Sequence, residues 1–138
     1  MSAEFSLPLR VYIEDTDAGG IVYYVNYLKY MERARTEYMR ERGFAKAAMA
    51  DDGLLMVVRD VQARYHASAK LDDVLRVTAN IKSLRPTALM FEQHVYRDQE
   101  LLCEACIQIA CVDPLVGRAR RLPKTIYQVL AAEAEAAQ

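Results

Sequence analysis

Hydrophobic and polar positions alternate over 7–14, LPLRVYIE: Leu7, Leu9, Val11 and Ile13 share one face, against Pro8, Arg10, Tyr12 and Glu14. A period of two predicts a half-buried strand. It stops at DTDAGG, whose acidic and glycine residues favour a turn. Beyond IVYYV the period changes. Tyr27, Met31, Ala34 and Tyr38 recur at helical spacing, with Lys29, Glu32, Arg33, Thr36, Glu37 and Arg40 opposite them. Asn26 suits the N-cap, Lys29–Glu32 and Arg33–Glu37 suit ladder pairs, and Gly43 suits the stop after Arg40, Glu41 and Arg42. About 17 residues give a helix roughly 25 Å long.

A second short helix or helical turn is expected over FAKAAMADDG, 44–53. Four strands are then predicted at 54–66, 74–84, 87–96 and 101–113, with Leu75, Val77, Ala79 and Ile81 on one face of the second and Leu89, Phe91 and Val95 on one face of the third. A turn at PLVGRARR precedes a helical tail. One strand, one long helix and then a run of strands indicate α+β with a mainly antiparallel sheet. Five strands at about 4.8 Å make a sheet as wide as the helix is long, so one curved sheet suffices to wrap it. The 138 residues make one domain, 1–138, with a core over about 7–126.

Composition excludes more than it assigns. The chain is 53% hydrophobic and 27% charged, which excludes a disordered chain, and its net charge of −1 gives no reason to expect nucleic acid. No run approaches the roughly 18 apolar residues of a membrane span, and MSAEFSLPLR has no secretory pattern, so cytoplasmic localisation is expected. Cys103, Cys106 and Cys111 crowd one apolar strand. The C-x-x-C pair then points to opposite faces, so buried strand cysteines are expected rather than a metal or redox site.

The candidate chemistry lies at Glu14, Asp15 and Asp17, followed by Ala18, Gly19 and Gly20. Two readings of this cluster stand side by side. In one, an Asp merely caps a backbone amide in a polar turn. In the other, a carboxylate, glycines that admit a ligand and a helix N-terminus combine into a site. Asp17 is then nucleophile or general base, and the backbone amides of Tyr24 and Val25 form an oxyanion hole. That is acyl transfer without Ser, His or metal.

The stretch DTDAGGIVYYVNYLKYMERARTEYM resembles the acyl-CoA thioesterases of the 4-hydroxybenzoyl-CoA type, in particular their YbgC branch. RYHASAKLDDVLRV, the SLRPT turn and the CVDPL ending extend the resemblance over about 7–126. It implies a hotdog fold, an active site shared between two subunits, a homo-oligomer (a dimer, then a tetramer as dimer of dimers) and hydrolysis of acyl-CoA without cofactor, coenzyme A being part of the substrate. The family's catalytic aspartate matches Asp17, and its helix-start amide matches Tyr24. Many YbgC members carry His where this chain has Tyr24; Tyr24-Val25-Asn26-Tyr27 stands closer to the Tyr-Pro-Asn-Tyr of the 4-hydroxybenzoyl type.

Gly19, Gly20, Tyr23, Asn26 and Tyr27 are candidate substrate contacts, though Asn26 equally suits a cap and the tyrosines equally suit a core. Asp15 reads as a turn carboxylate. Arg85, before Pro86 at a hairpin turn, leads the basic residues for coenzyme A phosphates; Arg59, Arg64, Lys70, Lys82, Arg118, Arg120 and Arg121 are the others. His66 and His94 are left outside the catalytic set. The expected substrate is a short- to medium-chain or aromatic acyl-CoA. The competing classes are a hotdog hydratase, which needs a His beside the carboxylate, and a non-catalytic partner of acyl carrier protein or of the Tol–Pal system, which the resemblance brings in.

Overall fold

The computed structural model describes residues 4–44 and 54–136. Five antiparallel strands form one sheet in the order β1-β3-β4-β5-β2: β1 (Phe5–Arg10), β2 (Leu55–Tyr65), β3 (Val74–Arg85), β4 (Ala88–Arg97) and β5 (Glu100–Val112). Helix α1 (Asn26–Glu41) packs on the inner face against β1, β3 and β4, and α2 (Lys124–Ala136) packs near β3. This is the hotdog arrangement, as expected. The short helix expected over 44–53 lies, beyond Phe44, outside the described residues.

The helix stripe is the core. Tyr27, Met31, Ala34 and Tyr38 are buried, joined by Tyr30 and Met39. Facing them are Leu75, Val77, Ala79 and Ile81 of β3 and Leu89, Phe91 and Val95 of β4, all buried as the alternation predicts. Each large side chain buried here contributes about 1.5–3 kcal/mol. Tyr38 meets Phe5 and Phe91 edge-on, with centroids 5.7 and 5.4 Å apart. Gly43 ends α1 with φ +91, and the amides of Gly43 and Phe44 close on the carbonyls of Arg40 and Met39. On the exposed side the ion pair is Glu37–Arg40, not the expected Lys29–Glu32 or Arg33–Glu37.

Three expectations need correcting. The first strand ends at Arg10, four residues early, and Ile13 is 76% exposed. The Asp15 carboxylate captures the Tyr12 amide at 2.8 Å and the Thr16 hydroxyl donates to the Ile13 carbonyl, rolling Ile13–Asp15 into a 3-10 turn. The second correction concerns β2, expected to open as a buried run and then alternate: it is exposed from Val58 to Tyr65 on both faces, because it is the sheet's edge and lies apart from β1, β3 and β4, the strands that α1 packs on. The third concerns the cysteines. Cys103 and Cys111 are buried, but Cys106 is only half-buried, on the opposite face from Cys103.

Candidate active site

Asp15 organises the loop. Its carbonyl accepts the Tyr23 amide at 3.0 Å and the Asn26 side-chain amide at 2.8 Å, which ties the acidic turn to the start of α1. Thr16 and Val22 form a bridge, the Asp17 amide donates to the Ile21 carbonyl, and the Gly20 amide donates to the Asp17 carbonyl. The result is a tight turn over 17–20, with Gly20 at φ +82, where a side chain would be strained. The returning limb is held by the Val22 amide on the Ala69 carbonyl and by an Ile21–Lys70 bridge.

Asp17 therefore stands exposed at the tip of a fixed turn, and its Oδ1 accepts the Gly19 amide at 2.8 Å. Both readings of the cluster meet here: one oxygen serves the turn, while the carboxylate as a whole remains open to a ligand. The helix behind it begins with Val25 at the cap position and no side-chain cap bond. Asn26 is thus the first helical residue and not the expected cap, because its amide is spent on Asp15. The amides of Asn26, Tyr27 and Leu28 donate to the carbonyls of Tyr23, Tyr24 and Val25. Among the described residues, those of Tyr24 and Val25 donate to none. Two free N–H groups at the positive end of a 16-residue helix suit developing negative charge.

The other expected site residues divide. Tyr23 and Tyr24 are 47% and 59% exposed beside the turn. Tyr27 is buried, and its hydroxyl accepts the Ala69 amide at 2.9 Å, so it is a core residue and not a surface contact. Burial also raises its pKa. The Tyr30 hydroxyl is raised by burial first and by the nearby charge of Asp15 second. Arg85 lies at the far end of β3, roughly 35 Å along the strand from the turn, so within one chain it is not brought to the site. Lys70 is the basic candidate whose backbone adjoins the turn. His66 sits 3.2 Å from Glu104, and His94 stacks on Tyr96.

One neighbour escaped the sequence reading. Tyr65, the last residue of β2, faces inward opposite Cys103, and its hydroxyl donates to the Tyr24 carbonyl at 3.1 Å. Its ring meets those of Tyr24 and Tyr27 edge-on. The contact spans 41 residues of sequence, and alternation along an exposed strand carries no sign of it.

Comparison with known proteins agrees with this architecture. The chain matches the model of the Thioesterase superfamily over residues 19–104. It is 45% identical to the acyl-CoA thioester hydrolase YbgC of Escherichia coli O6:H1 over 88% of this chain and 92% of that one. It is 43% identical to the acyl-CoA thioesterase YbgC of Haemophilus influenzae over 79% of this chain and 81% of that one. Among solved structures, a probable thioesterase from Bartonella henselae superposes with a TM-score of 0.81 at 33% identity, covering 88% of this chain and all of that one. The fold and these matches define a thioesterase-superfamily protein. Within that superfamily, the chain belongs to the YbgC family of acyl-CoA thioesterases. Among the described residues no helix is long and apolar enough to cross a membrane.

Proposed function

We propose that this chain hydrolyses acyl-CoA thioesters to a free acid and CoA-SH, with Asp17 as the catalytic carboxylate and the amides of Tyr24 and Val25 as the oxyanion hole. The observation that carries this reading is the joining of an exposed carboxylate to a helix start with two unengaged N–H groups, through bonds centred on Asp15. Asp17 attacks the thioester carbonyl and expels the CoA thiolate, leaving an anhydride for water to cleave, or it deprotonates a water that attacks instead. In either route the carbonyl oxygen gains charge against the two amides. No cofactor is required; coenzyme A enters with the substrate. The exposed rings of Tyr23 and Tyr24 supply an aromatic wall for a short, medium or aromatic acyl group. A hydratase would need an imidazole beside Asp17, whereas His66 is engaged by Glu104 and His94 lies against Tyr96.

The working unit is a homodimer. Asp17 stands in the open, and among the described residues β2 presents an unpaired edge with Val58, Val61 and Tyr65 exposed. Pairing that edge with a second copy covers it and walls the site. The test is CoA-SH release from short, medium and aromatic acyl-CoAs by wild type and Asp17→Asn. Turnover lost by orders of magnitude in a folded variant is expected. Equal turnover would remove Asp17 from the mechanism.

A further inference from the structure

We infer that Tyr65 is a positioning residue for the oxyanion hole, acting through the Tyr24–Val25 peptide. The inference rests on the thioesterase reading and names a residue beyond it. The peptide unit is planar, so a bond that fixes its carbonyl also fixes the direction of its N–H. The Val25 N–H shares a peptide with the Tyr24 carbonyl, which accepts the Tyr65 hydroxyl at 3.1 Å. The competing intrahelical donor on that carbonyl, the Tyr27 amide, is longer at 3.4 Å. The neighbouring peptide, which carries the Tyr24 N–H, is already held by the Asn26 amide on the Tyr23 carbonyl at 2.8 Å. Each candidate oxyanion donor is thus anchored from behind, one by the helix itself and the other chiefly by Tyr65.

The bond does more than hold a direction. A donor on the carbonyl draws charge through the peptide and leaves its N–H more positive, strengthening it as a donor in turn. The Tyr65 ring is placed for this by edge-on contacts with Tyr27 at 5.5 Å and Tyr24 at 6.0 Å. Burial raises the Tyr65 pKa, so the hydroxyl keeps its proton over the working pH range. Tyr65 stands on the edge strand, not on the turn or on α1, so the hole is held from the sheet side as well as by its own loop.

The test is Tyr65→Phe, which keeps the ring and removes only the donor, read beside wild type and Asp17→Asn. The variant is expected to lose about tenfold in kcat, less than the loss of an oxyanion donor itself, with KM within about twofold. The Val25 amide resonance should shift in nitrogen-15 NMR while the thermal midpoint barely moves. A purely structural role would lower the midpoint and leave kcat alone. Full kcat in Tyr65→Phe with Asp17→Asn inactive overturns the assignment to Tyr65 and spares that to Asp17. An unmoved Val25 resonance overturns it whatever the kinetics. A wild-type chain with no turnover on any substrate defeats the thioesterase reading, and the positioning role of Tyr65 with it.

Discussion

The Asp17 carboxylate is held by the Gly19 amide, with Oδ1 2.8 Å from the nitrogen. A β-carbon added at Gly19 would meet that same oxygen at 3.3 Å, closer than an ordinary contact. Gly19→Ala therefore pushes directly on the carboxylate, without the backbone strain that Gly20, at φ +82, would impose. It is expected to change stability by less than about 1 kcal/mol. Turnover should fall about tenfold or more, because small displacements of reacting groups are costly. Wild-type kcat in this variant would show that the position of Asp17 is set by something other than its turn.

Gln93, buried with the polar Thr78 and Asn26, makes the most side-chain hydrogen bonds of the three and should matter accordingly. Fully buried on β4, it donates to the carbonyls of Met31 and Thr78 at 3.0 Å each and accepts Arg35 Nη1 at 3.0 Å. Burial lowers the Arg35 pKa, so this guanidinium relies on its partner. Gln93→Ala strips a hydrogen-bond donor from both carbonyls and the acceptor from Arg35. A loss of about 2–4 kcal/mol is expected in urea unfolding. A loss below about 1 kcal/mol, close to that of a surface change, would mean that water replaces the side chain.

These two residues mark what the sequence makes legible. The stripe Tyr27, Met31, Ala34 and Tyr38 and the alternation of β3 survive because burial enforces their periods over many residues. The acidic turn is legible as a candidate site because a carboxylate, two glycines and a helix start fall within ten residues, although the same residues also suit a plain polar turn. Local competition spoils the finer reading: the Asp15 carboxylate diverts the strand before Ile13, and its carbonyl recruits Asn26 from the cap. Within one chain β3 carries Arg85 away from the turn, which its place beside Pro86 in the sequence does not reveal. Gln93 reads as a polar residue on a strand until its three partners, all distant in sequence, are seen.

The cysteines should separate by reactivity. Burial, and secondarily Glu104, pushes the Cys103 thiol up to about 12, and burial pushes Cys111 up to about 11. Raised values leave both protonated, hence unreactive, at pH 8. Cys106 lies on the other face, half-buried, with its sulfur 3.7 Å from Lys82 Nζ. Iodoacetamide on the native chain is expected to modify Cys106 first, and Cys103 and Cys111 only after unfolding, as read by peptide mass mapping. Equal labelling of all three in native buffer would contradict the burial of the inner face.

The proposed dimer would tie assembly to chemistry through the edge strand. Val61 is 39% exposed in the middle of β2, inward-facing opposite Ile107, on an edge strand apart from β1, β3 and β4, the strands that α1 packs on. A lysine there costs the isolated fold little, within about 0.5 kcal/mol, because the position is open to water. Across an edge-to-edge pair the same lysine would be buried or set against its own copy, which association does not tolerate. Val61→Lys is therefore expected to sediment as a monomer with its circular dichroism intact. Its kcat should fall together with the oligomer if, as proposed, a second copy walls the site at Asp17. Raising the protein concentration should restore mass and turnover in step. Full kcat in a monomeric Val61→Lys chain would mean that Asp17, Tyr24 and Val25 need no partner, and that β2 is left bare for another reason.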